Sequence, residues 1–304
     1  MRCIKCPQKA SVELRRHNSA FCGIHYLEFV RTQVARNIRR NHMFTDEDRV
    51  LVTVSGGKDS LALWDLLMEA GYQTWGLHLL LGIGDYSQRS AQRTREFAQE
   101  RGAQLIEMDL EANLGLGITG LSQALKRAPC SGCGLSKRYF FNKIALDQNF
   151  TVVATGHNLD DEAATLMGNV IHWQMDALGR QSPVLESTHH KLVKKVKPLF
   201  SLTEREMASY CLIKGISYVE EECPNATGAH SLLYKDVLNR IESESPGSKQ
   251  QFLQGFLDRM RPRLQEADGV VLRECDQCGQ TTTGQVCSFC RTWAKALAPS
   301  RSKP

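Results

Sequence analysis

Ser55-Gly56-Gly57-Lys58-Asp59-Ser60 constrains this chain more than any other stretch. It follows a β-branched run, Val50-Leu51-Val52-Thr53-Val54, and precedes an amphipathic one, Leu61-Ala62-Leu63-Trp64-Asp65-Leu66-Leu67. The pattern predicts a strand, a tight glycine turn and a helix. Two adjacent glycines let backbone N–H groups close on an anion. The helix N-terminus adds partial positive charge and Lys58 a full one, so the stretch reads as a phosphate site. It is not the G-x-x-x-x-G-K-[ST] loop, whose spacing is missing. A plain glycine turn is the alternative, and the lysine and flanking hydroxyls argue against it.

The 304 residues suffice for one large domain with small appendages. A formal net charge of +5 permits a nucleic-acid partner without requiring one. The chain opens without an apolar leader, and no apolar run reaches the roughly 20 residues of a membrane helix. A soluble, cytoplasmic protein with no membrane contact is expected. Eleven cysteines in that setting point to metal rather than disulfides. Cys211, within an apolar helical run, reads as a small buried hydrophobe.

Two cysteine sets lie at the ends. Cys3, Cys6, Cys22 and His25 form C-x2-C-x15-C-x2-H, and Cys275, Cys278, Cys287 and Cys290 form C-x2-C-x8-C-x2-C. Each supplies four soft or borderline ligands, which suits closed tetrahedral zinc. His17 lies near the first set, but His25 keeps the two-residue spacing. Both sets sit among lysines and arginines, among them Lys5, Arg15, Arg16, Arg273 and Arg291, as small ribbons that grip RNA phosphates do.

The third set, Cys130, Cys133 and Cys223, offers only three thiolates. An iron–sulfur cluster with one open iron, a redox dithiol and an incompletely ligated zinc all accommodate it. Between the end sets, Val50–Val54, Tyr72–Leu81, Gln104–Asp109, Phe150–Thr155 and Ile216–Val219 read as strands. Helical patterns separate most of them, including residues 88–101, 136–148 and, broken by Pro246, 228–266. Alternation of this kind implies a parallel sheet covered by helices on both faces, with ligands at the carboxyl ends of the strands. The phosphate loop and the segment Gly156-His157-Asn158-Leu159-Asp160-Asp161-Glu162 should then share one cleft. There Asp59 and Asp161 suit magnesium, whereas Asp160 reads as a helix cap. Lys137 reads either as a phosphate contact or as a surface lysine, and His78 either as a neighbour of adenine or as a core histidine. The tail after Ala298 reads as frayed.

Taken together, the end sets, the 55–60 loop, Cys130-x-x-Cys133, the 156–162 segment and Glu222-Cys223-Pro224-Asn225 resemble the TtcA/TtuA family of tRNA 2-thiolation enzymes. That family lies in the PP-loop ATP pyrophosphatase superfamily, and the TtuA branch is nearest. The resemblance covers nearly the whole chain. It implies an α/β, Rossmann-like PP-loop fold of the adenine nucleotide alpha-hydrolase type, flanked by two zinc ribbons. The implied division is an N-terminal zinc domain at 1–28, a catalytic domain at 29–270 and a C-terminal ribbon at 271–304. It implies a [4Fe-4S] cluster at Cys130, Cys133 and Cys223, two zinc ions, and ATP with magnesium. ATP would meet Val54, Ser55, Gly56, Gly57, Lys58, Asp59, Ser60, His78, Lys137, Gly156 and Asp161, with Asp59, Lys137 and Asp161 catalytic. The implied reaction is adenylation of a uridine C2 oxygen, at a T-loop 5-methyluridine, followed by replacement with sulfur. The implied partners are tRNA, a ubiquitin-like sulfur carrier ending in a thiocarboxylate, and a second copy in a homodimer. A wobble-uridine thiolase remains open, as does a metal-stabilised RNA-binding or redox-sensing module with a regulatory nucleotide site.

Overall fold

Hydrophobic alternation along the middle of the chain produces the expected parallel sheet. The computed structural model describes residues 1–226, 230–264 and 271–298. The chain begins with a hairpin, β1 (Val12–Leu14) and β2 (Ser19–Phe21), followed by α1 (Gly23–Arg40). Strand and helix then alternate through β3 (Val50–Thr53), α2 (Lys58–Glu69), β4 (Thr74–Leu80), α3 (Gly84–Arg101) and β5 (Gln104–Asp109). After α4 (Leu110–Leu114) and α5 (Ile118–Leu125) come α6 (Pro129–Asp147), β6 (Val152–Thr155), α7 (Leu159–Ile171) and α8 (Met175–Arg180). The sheet is completed by β7 (Val184–Leu185) and β8 (Lys194–Val196), and α9 (Glu204–Lys214), α10 (His230–Glu244) and α11 (Ser248–Gly255) follow. The chain closes with β9 (Arg273–Glu274), β10 (Thr281–Thr282) and α12 (Ser288–Leu297).

The central sheet runs β5-β4-β3-β6-β8-β7, parallel except where β7 pairs antiparallel with β8. The chain winds outward from β3 through β4 to β5, then returns to place β6 on the other side of β3. That reversal opens a crevice at the carboxyl ends of β3 and β6, the usual ligand position in such sheets. Side chains alternate across the sheet. Val50 and Val52 pack with α1, α2 and α9, whereas Leu51, Leu77 and Val153 pack with α5, α6 and α12. α2 buries every residue from Ser60 to Leu67, so its start is held against the sheet.

Two expectations need correction. Residues 216–219 form no strand; Ile216 is buried in the core and its N–H meets the Cys211 carbonyl at 2.9 Å, while Val219 N–H donates to the Gly56 carbonyl at 2.9 Å. The sheet takes β8 and β7 in that place, short strands whose brevity hid them. The helix expected to begin at 136 begins at Pro129, because proline is favoured in a first turn, so Cys130 and Cys133 stand on its opening turns. Pro246 does separate α10 from α11. The tail after Ala298 lies outside the described residues.

The N-terminal hairpin is fastened to α9 by a buried ion pair. Arg16 Nη2 donates to both carboxylate oxygens of Glu206, at 2.9 and 2.7 Å, and to the Ser201 carbonyl at 3.0 Å. Tyr26 Oη donates to the Glu206 carbonyl at 2.6 Å. Inside the sheet, Gly76 leaves room for the Trp64 ring, since a Cβ there would lie 2.4 Å from it. Gly76→Ala should lower unfolding free energy by about 2 kcal/mol and Tm by about 5 °C, as read by thermal melting with circular dichroism.

Candidate nucleotide and metal sites

The turn after β3 is shaped by two close approaches. Gly56 adopts φ +77°, and a Cβ on it would meet the Ser90 carbonyl at 2.6 Å, so only glycine fits. Gly156, in the turn after β6, would place a Cβ 2.9 Å from Ser60 N, which brings the two turns against each other. Ser60 Oγ accepts from Ser55 N at 3.0 Å and donates to the Gly57 carbonyl at 3.0 Å. The loop is thus braced before any ligand arrives.

One cavity of about 310 Å³ lies over these turns. Its walls include Val54, Ser55, Gly57, Asp59, Ser60, His78, Lys137, Gly156 and Asp161. Gly56 and Lys58 belong to the same loop without lining the cavity. Cys133 and Cys223 line it as well, from α6 and from the segment hung on Gly56. Cys130 stands outside the lining, exposed, with its thiol donating to the Asn225 carbonyl at 3.2 Å.

Burial raises the Asp59 carboxyl to about 6, although Lys58 at 3.1 Å and the Asn158 amide at 3.0 Å oppose the shift. Asp161 behaves oppositely. Burial pushes it up, but Lys235 at 2.6 Å and the Asn158 N–H outweigh that and hold it below the usual carboxylate range. Asn158 caps α7, its side chain accepting from Asp161 N at 3.0 Å while Asp161 accepts from Asn158 N at 3.2 Å. Asp160 is not the cap expected at its own helix, a place taken by Asn158; its carboxylate instead accepts from Glu204 N at 2.8 Å at the start of α9 and pairs with buried Lys249. His78 Nδ1 donates to the Val54 carbonyl at 2.9 Å, so Nε2 carries the lone pair and finds no partner among the described residues. Burial lowers the His78 imidazole and keeps it neutral.

Sequence reading missed Asn158, Lys235 and Tyr86. Asn158 had a signal, since Asn-x-x-Asp before an apolar run is a capping pattern. Lys235 had none, because its pairing with Asp161 and Glu204 joins α10 to α7 and α9 across the fold. Tyr86 lines the cavity from α3, which no spacing announced.

At the two ends, the ligand atoms of Cys3, Cys6, Cys22 and His25 lie within 4.8 Å of one another, as do those of Cys275, Cys278, Cys287 and Cys290. Cys6 and Cys22 are 3.8 Å apart at sulfur, and Cys278 and Cys287 3.7 Å. Tetrahedral zinc with bonds of about 2.3 Å sets sulfurs about 3.8 Å apart, so both quartets fit that ion. Burial raises the Cys3 and Cys275 thiols, yet backbone N–H donors more than offset it and bring each to about 6. Cys130, Cys133 and Cys223 do not close to that spacing. An all-thiolate trio with wider spacing, one member lining the cavity on each side, suits a multi-iron cluster better than one zinc.

Comparison with known proteins agrees along the length of the chain. A family model described as a PP-loop domain matches residues 30–229, and one described as the N-terminal LIM domain of 2-thiouridine synthetase TtuA matches residues 2–27. The chain is 53% identical to a tRNA-5-methyluridine(54) 2-sulfurtransferase of Thermus thermophilus, over 96% of this chain and 91% of that protein. It is 41% identical to one of Thermotoga maritima, over 96% and 95%. The solved U34-tRNA thiolase NcsA from Methanococcus maripaludis with its [4Fe-4S] cluster superposes with a TM-score of 0.83 at 26% identity, covering 98% of this chain and 96% of that one.

The Asp59 carboxyl supplies a pH test. Its folded value, about 6, exceeds its unfolded value near 3.8. Between those values the folded chain holds a proton that the unfolded chain has lost, so Asp59 contributes less stability as pH rises to 6. Asp59→Asn lacks this titration. Its Tm relative to wild type should climb from pH 4 to pH 6 and level off above, measured by calorimetry at matched ionic strength.

Proposed function

From the membership of this chain in the TtuA-type tRNA-5-methyluridine(54) 2-sulfurtransferase family of PP-loop proteins, we propose an ATP-dependent tRNA sulfurtransferase that replaces the C2 oxygen of a T-loop 5-methyluridine with sulfur. The observation that carries this reading is one cavity lined by the phosphate loop, Lys137, Cys133 and Cys223 together.

The uracil C2 oxygen is a poor leaving group. In the proposed first step it attacks the ATP α-phosphorus; the bond to the β-phosphate oxygen breaks and pyrophosphate departs. Lys58, the loop amides and the α2 N-terminus hold the outer phosphates as charge develops there. Lys137 approaches the phosphates from the opposite wall. Asp59 and Asp161 would hold magnesium, which neutralises the departing phosphates when bound. Lys235 keeps Asp161 ionised for that task. Val54 and Gly156 border the nucleoside, and the His78 Nε2 lone pair accepts from the adenine amine. In the second step a sulfide equivalent adds at C2, the C2–O bond breaks, and AMP leaves with the oxygen.

Cys130, Cys133 and Cys223 would hold a [4Fe-4S] cluster, whose fourth iron, free of protein thiolate, supplies a Lewis-acidic position for sulfur. The two quartets would hold structural zinc, dividing the chain into domains at 1–28, 29–270 and 271–304. Sulfur would come from a ubiquitin-like carrier with a C-terminal thiocarboxylate, and the working form would be a cytoplasmic homodimer. A second reading, a wobble-uridine target, draws on the likeness to the U34 thiolase. Mapping the thiolated nucleotide by mass spectrometry separates the two.

Anaerobically purified Cys223→Ala should lose at least about a hundredfold in tRNA thiolation, in keeping with the cost of removing one essential catalytic group. Both zinc quartets should stay loaded by metal analysis. Wild-type levels of 2-thiouridine nucleoside from that variant would overturn the assignment of Cys223.

A further inference from the structure

The C-terminal ribbon is locked onto α6. Tyr139 and Phe289 stack face to face, with centroids 3.6 Å apart and planes 2° from parallel. Trp293 Nε1 donates to buried Ser136 Oγ at 3.1 Å. Asn142 Nδ2 donates to Gln280 Oε1 and to the Lys191 carbonyl, both at 2.8 Å, and Asn142 Oδ1 accepts from Val193 N at 3.0 Å. Helix, ribbon and the loop leading into β8 therefore form one rigid frame.

Inside that frame lies a second cavity of about 290 Å³, apart from the nucleotide cavity. Arg138 enters it from α6 and Lys195 from β8, while Thr282, Thr283 and Ser288 supply hydroxyls from the ribbon. Among the described residues, neither cation has an ion-pair partner. Burial lowers the Lys195 ammonium, and the charge of Arg138 adds to that shift. Two cations held together without a carboxylate repel each other and lack desolvation relief. Cys287 of the C-terminal quartet lines the cavity too, but among the described residues no carboxylate does, so an entering anion would add a counter-charge. Threonine and serine hydroxyls beside Arg and Lys are phosphate-binding chemistry.

The groove adjoins the reaction chamber. The Arg138 guanidinium lies over Gly134, where a Cβ would sit 3.2 Å from Nη1, and Gly134 follows Cys133 of the nucleotide cavity. Lys137, the preceding residue of α6, lines that cavity while Arg138 lines the groove. A strand of RNA with one base in the chamber has its flanking phosphates about one nucleotide away. We infer that the Arg138–Lys195 groove between α6 and the C-terminal ribbon binds a backbone phosphate of the RNA substrate and thereby sets which base reaches the chamber. This inference rests on the tRNA reading above.

The test uses the full, zinc-loaded chain and an unmodified tRNA transcript, with binding followed by fluorescence anisotropy between about 50 and 300 mM KCl. Arg138→Gln and Lys195→Gln should each make the slope of log K against log salt shallower by roughly 0.7–0.9, and the double variant by about twice that. The double variant should bind tRNA roughly tenfold more weakly at low salt, while its ATP affinity stays within about twofold of wild type. Arg138→Lys and Lys195→Arg, which keep the charge, should keep the wild-type slope. A double variant with an unchanged slope overturns the inference. So do charge-keeping variants that lose as much as the neutral ones, because the effect is then structural. A parallel loss of ATP affinity also overturns it, since the groove then belongs to the nucleotide site. A wild-type chain that binds no tRNA is a distinct outcome and removes the parent reading with it.

Discussion

The approach of the β3–α2 turn to the backbone of α3 is the contact on which the rest of the site depends. Gly56 can lie against Ser90 because it has no Cβ and tolerates a positive φ. Its carbonyl then accepts from Val219 N and so hangs the Cys223 segment over the loop. Any side chain at position 56 would displace both the phosphate loop and the strand-like segment that carries a thiol into the cavity. One glycine thus couples the phosphate-loop side of the cavity to the side lined by Cys223.

Electrostatics around the chamber are divided between its two carboxylates. Asp59 is half-buried beside a single lysine, and desolvation wins. Asp161 is held by a helix cap and by Lys235 from a distant helix, and charge pairing wins. Two acids on one cavity therefore stand at different proton affinities, an arrangement typical of sites that handle charge rather than of a passive core. The two outlying quartets play a different part. The N-terminal one is fastened through Arg16 to Glu206, the C-terminal one through Phe289 and Trp293 to α6. The second thereby braces α6, whose Cys133 and Lys137 line the nucleotide cavity, whereas the first is tied to α9, which packs against α2.

Much of this was legible in the chain because it is local. The phosphate loop, the two-residue knuckles of both quartets and the α7 start are set by residues within a few positions of one another, and short-range spacing fixes short-range geometry. The strand proposed at 216–219 failed for the converse reason. An apolar run of four residues pairs as a strand only if a sheet edge is free, and β8 had taken the edge beside β6. The cap expected at Asp160 failed likewise: Asn158 caps that helix, and the Asp160 carboxylate reaches the Glu204 N–H, far along the chain.

Residue order alone determined an α/β fold with a glycine-lined turn, and two quartets of metal-ligating residues, because these follow from hydrophobic period and ligand spacing. Only the tertiary structure decided that Cys133 and Cys223 line one cavity with the phosphate loop, that Lys235 holds Asp161, and that Arg138 and Lys195 line one groove with no carboxylate among its described residues. Those pairings join residues from tens to more than 160 positions apart. Their distances are set by how the helices and the C-terminal ribbon pack on the sheet, and no local pattern encodes that packing.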